Sequence, residues 1–372
     1  MNPILQGPSS PAVGKHGRQK SFHLPGRPPG EDGIVVVSQQ QPFHVGSPIG
    51  FLTPLQSWDI LPDCYILHNP ETFRHKDCTI LAVVSRPTLK PTHTVLTRTQ
   101  VLSLLKWYDQ PHPSRPDRMI PGYDKAHALR TARMCVAVAA ALGHPLSRLR
   151  QFEAACLLHD MGRAGLDAVL FGQIWSWAKE QKIPTRPREW RTRYPKTPYG
   201  RESQAFIAQY GAALQTQGLE LTPAVKDHID MRLGFARRLK KYLRPVKTAL
   251  ATVDIPWSPW MERIMLYYYY PEKLERAAAW THQLAEILVA CEQLEAYSNH
   301  RRGKDYYARA EESFAAAFTY LRQLTSQRIV SQQILDLMCR LTREGSFTTI
   351  LRQARGGSLS PADQQFLQTV SC

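Results

Sequence analysis

The spacing of apolar residues divides the chain into three stretches. Residues 1–33 show neither a helical nor a strand period. Pro, Gly and Ser recur there, as in Pro8-Ser9-Ser10-Pro11 and Pro25-Gly26-Arg27-Pro28-Pro29-Gly30, which predicts a disordered tail. Residues 34–96 carry short β-branched and apolar runs, Ile34 to Val37, Tyr65 to Leu67 and Thr79 to Val84, separated by Gly and Pro. That pattern predicts a small β-rich module. Past Leu96 the period becomes helical. Thr99 is placed to cap a helix running to Trp107, and a loop rich in Pro and Arg extends from Pro111 to Pro121. Two helices then form a pair. The first spans Tyr123 to Leu142 and stops at Gly143; the second spans Pro145 to Asp160 and stops before Gly162. Further helices are predicted over 204–217, 223–242, 259–270, 272–297, 307–324, 331–342 and 361–370. The fold class is therefore mainly α. A helical domain over 97–325 comes after the β-rich module, and a helical extension over 326–372 comes after that domain.

Composition narrows the class. Hydrophobic residues make up 43% of the 372, enough to exclude global disorder. The longest apolar runs fall far short of the roughly 18–20 residues that span a bilayer, so no transmembrane segment is expected. No apolar stretch comes after the early basic residues, which argues against a secretory signal. Seven cysteines form an odd set without a Cys-x-x-Cys pair. This speaks against a disulfide framework and for a reducing, cytoplasmic setting. Basic residues outnumber acidic ones by 47 to 31, a formal charge of +16. Such a surface attracts polyanions, whether nucleotides, nucleic acid or an acidic protein partner, without choosing among them.

The main chemical signal is Leu157-Leu158-His159-Asp160-Met161-Gly162-Arg163. An apolar helix delivers an imidazole and a carboxylate side by side at its C-terminal end. Both can reach one cation. A third ligand must come from elsewhere, and His127 is the natural candidate. Antiparallel packing brings the start of the first helix of the pair beside the end of the second. Taken alone, a His-Asp dipeptide is common, and a buried, satisfied histidine is its commoner role. Shared coordination, at roughly 2 Å per bond, requires the His127 imidazole and the Asp160 carboxylate to come within about 10 Å.

On these residues, the chain resembles the HD superfamily of metal-dependent phosphohydrolases, and within it the HD-GYP type. The resemblance covers roughly residues 120–325, with an insertion near 172–215. His127 matches the family's first metal-binding histidine and His159-Asp160 its namesake pair. Arg163-Ala164-Gly165-Leu166 matches the family's segment just after that pair, with Arg163 where the family has lysine. Leu221-Thr222-Pro223 and Asp230-Met231-Arg232-Leu233-Gly234 look like the family's Leu-Thr-Pro and His-x-x-x-Gly segments, with Asp230 in the ligand position and His228 as a substitute. Ile287 to Ala296 looks like the closing helix, with Glu292 at the ligand position and Glu295 at the other acidic one. The family's His-His-Glu and Gly-Tyr-Pro elements are replaced by Tyr267-Tyr268-Tyr269-Tyr270-Pro271-Glu272. A neutral phenol, with a pKa of about 10, is a poor ligand near pH 7.

The resemblance implies a phosphodiesterase that uses one or two divalent ions (Fe, Mn, Mg or Zn) and acts on a cyclic dinucleotide, cyclic di-GMP, or a related phosphoester. Asp160 would orient or deprotonate water, and Arg163 would stabilise phosphate charge. Arg130, Arg301 and Lys304 would grip the substrate. The missing histidines and Arg163 also fit a catalytically defective signalling module that binds a nucleotide or a protein without turnover. Several features have plainer structural readings. The tyrosine run reads as a packed helix end. Trp257 and Trp260 read as packing residues. The basic stretch Arg232, Arg237, Arg238, Lys240, Lys241 and Arg244 reads as a solvated face or a partner surface, and the basic cluster in 183–201 as a similar surface or a mobile loop.

Overall fold

A computed structural model describes residues 94–112, 115–300 and 313–372. The expected tail, all but the last three residues of the β-rich module, and the proposed phosphate-gripping residues Arg301 and Lys304 lie outside them. All described residues belong to the second of the two compact units into which the chain divides, Ile80–Cys372. Among the described residues the fold is mainly helical, with fourteen α-helices and one two-stranded sheet. No helix among them is long and apolar enough to cross a membrane.

Helix α1 is Arg98–Leu105. Its cap is Thr97, not Thr99: the Thr97 hydroxyl accepts from the Gln100 amide, and the Gln100 side chain accepts from the Thr97 amide at 2.9 Å. This reciprocal pair needs glutamine or glutamate three residues after the cap, and Gln100 supplies it. The expected Pro-Arg loop contains a hairpin instead, β1 (Gln110–His112) against β2 (Arg115–Ile120), antiparallel with an irregularity after Pro111. Proline cannot donate to a ladder, so a two-stranded ribbon of this composition is hard to distinguish from a loop in sequence.

Helices α2 (Lys125–Ala141) and α3 (Leu146–Leu158) form the predicted antiparallel pair, turning at Gly143 with φ +80. Ala128, Ala132, Ala139, Ala154 and Ala155 are fully buried, and such small side chains let the helix axes approach closely. Helix α4 (Ala168–Glu180) and the short α5 (Pro187–Arg193) occupy the region read as an insertion, followed by α6 (Glu202–Thr216) and α7 (Pro223–Leu233). These four helices enclose a core of their own around Phe171, Trp175, Trp190, Phe206 and Ile229. The helix expected over 223–242 is two helices, α7 and α8 (Phe235–Ala251), meeting at Gly234. A Cβ at Gly234 would sit 2.0 Å from Asp230 Oδ1, so a larger residue there would displace the Asp230 and Arg237 side chains.

Helix α9 (Pro259–Leu266) and the long α10 (Ala279–Ser298) return to the main core. There α11 (Phe314–Ser326), α12 (Gln332–Arg343), α13 (Thr348–Ala354) and α14 (Pro361–Thr369) join them. Met338, Phe347, Leu351 and Leu367 share one apolar cluster with α2, α3 and α10, so the C-terminal helices are integral to the bundle. Cys339 on α12 and Cys372 form a disulfide, with Cα atoms 6.2 Å apart. The pairing brings together residues 33 positions apart that no spacing motif marks. Cys135, Cys156 and Cys291 are free and buried.

Glu153, fully buried on α3, ties down the start of the described chain. Its Oε2 accepts from the Val95 and Leu96 amides at 2.8 Å each. Burial pushes its carboxyl from the ordinary 4.5 up to about 7, against the opposing pull of those two amides, Arg133 and Arg150. In the folded state Glu153 keeps a proton that the unfolded chain releases. Its contribution is therefore full below pH 4.5 and is lost as pH rises through 7. Glu153→Gln is expected to remove this loss, which is on the order of 3 kcal/mol between the two limits. Urea denaturation of both proteins at pH 5 and pH 8 measures it. An equal change in the two proteins would refute the assignment.

Candidate metal centre

Helix α3 ends where the chemistry begins. Its last carbonyls have no donors within the helix. The Leu157 carbonyl accepts from the buried Tyr108 hydroxyl at 3.0 Å, and the Cys156 carbonyl accepts from Nδ1 of the His159 ring at 2.7 Å. Donation from Nδ1 fixes the His159 tautomer and leaves a lone pair on Nε2. That Nε2 is buried and accepts no hydrogen bond among the described residues.

The chain then makes a single 3-10 turn, Met161–Arg163. A Cβ on Gly162 would lie 2.5 Å from the Phe235 ring, so glycine lets α8 pack directly on the turn. Arg238 of α8 donates from Nε to the Gly162 carbonyl at 2.7 Å and from Nη2 to the Ala164 carbonyl at 3.0 Å. The basic stretch of α8 is thus not uniformly a solvated face. Arg238 is buried and pins the His-Asp turn, while Arg237, Lys240, Lys241 and Arg244 are exposed.

Two other helices complete the centre. Helix α2 supplies His127, and α10 supplies Glu292 and Glu295. Glu295 is fully buried. One of its oxygens bonds Nδ1 of His127; the other accepts from Arg130 Nε at 2.7 Å and from Asn299 Nδ2 at 3.1 Å. A carboxylate on Nδ1 orients the ring and directs Nε2 inward. The imidazoles of His127 and His159 lie with centroids 5.2 Å apart. His127, His159 and Glu292, all buried, offer ligand atoms within 4.8 Å of one another, a group that could hold a metal ion. Two imidazoles and a carboxylate make a donor set suited to iron or zinc more than magnesium.

Asp160 lies beside this group. Its Oδ2 is 3.6 Å from Nε2 of His127 and 3.7 Å from Nε2 of His159, well inside the reach shared coordination requires. The same oxygen accepts from Arg163 Nη1 at 2.9 Å, and Arg163 Nη2 donates to the Tyr269 hydroxyl at 2.7 Å. Arg163 is buried. Burial raises the Tyr269 phenol above its ordinary value, although Arg163 pulls it down, so the residue stays a neutral hydroxyl at neutral pH.

Asp230 and His228 are not brought into the centre. Helix α7 belongs to the second core, and Asp230 accepts from Ser203 Oγ at 2.7 Å and pairs with Arg237. His228 is spent within its own neighbourhood: Nδ1 donates to the Ala224 carbonyl and Nε2 accepts from the Asp167 amide, each at 2.8 Å. The tyrosine run is packed as expected. Tyr268 bonds the Tyr320 hydroxyl at 2.7 Å with the Arg186 guanidinium 4.7 Å over its ring, and Tyr267 donates to the Ile329 carbonyl.

A cleft of about 330 Å³ opens beside the centre, with Asp124, His127, Arg130, Asn299 and His300 among its lining residues. Of the substrate-gripping candidates, Arg130 thus lies at the cleft, with its guanidinium held by Glu295. No protein-family model matches the chain, and neither does any curated protein or solved structure.

Proposed function

We propose that this chain is a metal-dependent phosphohydrolase of HD type, a phosphodiesterase acting on a cyclic dinucleotide or a related phosphoester. One observation carries the reading. Two imidazoles, each tied at Nδ1, converge with Glu292 in a buried group beside the Asp160 carboxylate. His127, His159 and Glu292 would hold a divalent ion, with Asp160 as a further ligand or its neighbour. Such an ion supplies Lewis acidity toward a phosphate oxygen and makes water more acidic. The remaining work falls to the chain's own residues. Asp160 orients water and accepts its proton. Arg163 offers a buried positive charge to the phosphate. Its guanidinium does not give up a proton near neutral pH, so the leaving group takes its proton from solvent. Esters with acidic leaving groups are therefore the favoured substrates.

A second reading, a binding module without turnover, has its own support: Arg163 already occupies the Asp160 oxygen nearest both imidazoles. Hydrolysis of bis(4-nitrophenyl) phosphate and cyclic di-GMP at saturating manganese or iron separates the two. The hydrolase reading expects turnover that falls by at least about 100-fold in Asp160→Asn, the scale of a lost general base. Metal binding without turnover by the wild type would favour the second reading. Absence of metal binding would refute the hydrolase reading.

A further inference from the structure

Helix α8 turns two unlike faces to its surroundings. Phe235, Leu239, Leu243, Val246 and Leu250 are buried in the main core. The opposite face carries Arg237, Lys240, Lys241 and Arg244, spaced i, i+3, i+4 and i+7, so they stand together on one side. All four are exposed, and the helix contains no acidic residue. Arg237 anchors one end of the row: it pairs with Asp230 and donates from Nη1 to the Gly200 carbonyl at 2.6 Å. Lys240, Lys241 and Arg244 form no ion pair among the described residues. Uncompensated cations this close repel one another, and an anionic partner relieves that cost. The Gly200 contact joins the row to a second feature. Tyr199 and Arg201 flank that glycine and both are exposed, Tyr199 at 52%. The Tyr199 ring is held against Tyr270, with centroids 5.3 Å apart, and the Arg191 guanidinium lies 4.8 Å from its centroid. The acidic neighbours Asp227 and Glu272 are committed to Arg238 and Arg191.

We propose that α8 and the 199–201 loop form a binding surface for single-stranded nucleic acid. Lys240, Lys241, Arg244 and Arg201 hold phosphates, and Tyr199 stacks on a base. The inference does not rest on the hydrolase reading. Two observations select this partner. A row of cations that ends at an open aromatic ring offers both contacts a single strand makes, charge along its backbone and stacking on its bases. A lipid surface calls for apolar side chains that enter the interface, and α8 exposes no large apolar residue.

The test is fluorescence anisotropy of the full chain with a labelled oligothymidylate, with an abasic strand of equal length and with phosphatidylserine vesicles as competitors, across a series of salt concentrations. The triple variant Lys240→Gln, Lys241→Gln, Arg244→Gln is expected to flatten the slope of log affinity against log salt by about 2, three lost phosphate contacts at about 0.7 each. Its affinity for oligothymidylate should fall by about tenfold or more near physiological salt. Tyr199→Ala is expected to weaken oligothymidylate by about tenfold, the scale of one lost stacking contact, with the slope unchanged and the abasic strand unaffected. Tyr199→Phe keeps the ring and should match wild type. Circular dichroism checks each variant, and if Tyr199→Ala does not fold, the comparison of the two strands on wild type decides: the abasic strand should bind about tenfold more weakly. A triple variant that binds oligothymidylate as tightly as wild type would overturn the proposal. So would a wild type that binds both strands equally, which marks a surface for any polyanion, or one that binds the vesicles and neither strand.

Discussion

Glu295→Ala is expected to destabilise the protein by about 3–5 kcal/mol, the cost of breaking a buried ion pair by removing one partner. Glu295 is fully buried, and its two oxygens serve three side chains, His127, Arg130 and Asn299. Alanine leaves the Arg130 guanidinium, only 13% exposed, without its carboxylate. It also frees the His127 ring from the contact that holds Nδ1. The subtler variant Glu295→Gln preserves shape and removes the charge. It is expected to weaken metal affinity by about 10–100-fold, as loss of a carboxylate behind a ligating histidine does. Urea denaturation and competitive chelator titration give the two quantities. A Glu295→Ala protein within about 1 kcal/mol of wild type, an ordinary surface effect, would show that the buried carboxylate does not hold α2 to α10.

Gly162→Ala is expected to cost about 1–3 kcal/mol by overpacking. The added methyl would meet two carbons of the Phe235 ring, at 2.5 and 2.7 Å. That ring cannot move aside freely, since Tyr269 packs against it with centroids 4.7 Å apart. Tyr269 in turn accepts from Arg163, which holds Asp160. The clash is therefore expected to reach the centre and lower metal affinity as well as stability. Phe235→Leu makes room. In the double variant the penalty of Gly162→Ala should shrink, a coupling that a double-mutant cycle measures. Strict additivity would place the clash elsewhere.

Much of this arrangement was legible in the sequence. The apolar period gave the α2–α3 pair to within two residues, because small and aliphatic residues recur on its buried face. The glycines at 143 and 162 marked the ends. The convergence of His127 with His159 and Asp160 was implied by antiparallel packing alone. Glu292 and Glu295 were visible as an i, i+3 pair, and the resemblance put Glu292 at the ligand position, but the contact of Glu295 with His127 was not legible. Glu292 joins the imidazole group, while Glu295 stands behind His127. That difference depends on how α10 is rotated against α2, which a helical period does not specify to the required precision. Arg238 carried no signal at all: six basic residues crowd 232–244, and only packing on the 162–164 carbonyls distinguishes it. Asp230 drew attention through resemblance, yet its helix belongs to the second core, and Ser203 with Arg237 claims it.

A buried ion is the core of the proposed chemistry, and the metal content of the purified chain tests for it most directly. The molar ratio of transition metal to protein should be about one for wild type, since three ligating side chains make a single site. It should fall close to zero in His159→Ala and Glu292→Ala proteins whose circular dichroism shows them folded. Equal ratios in all three folded proteins, whether near one or near zero, would contradict a metal centre built on these side chains.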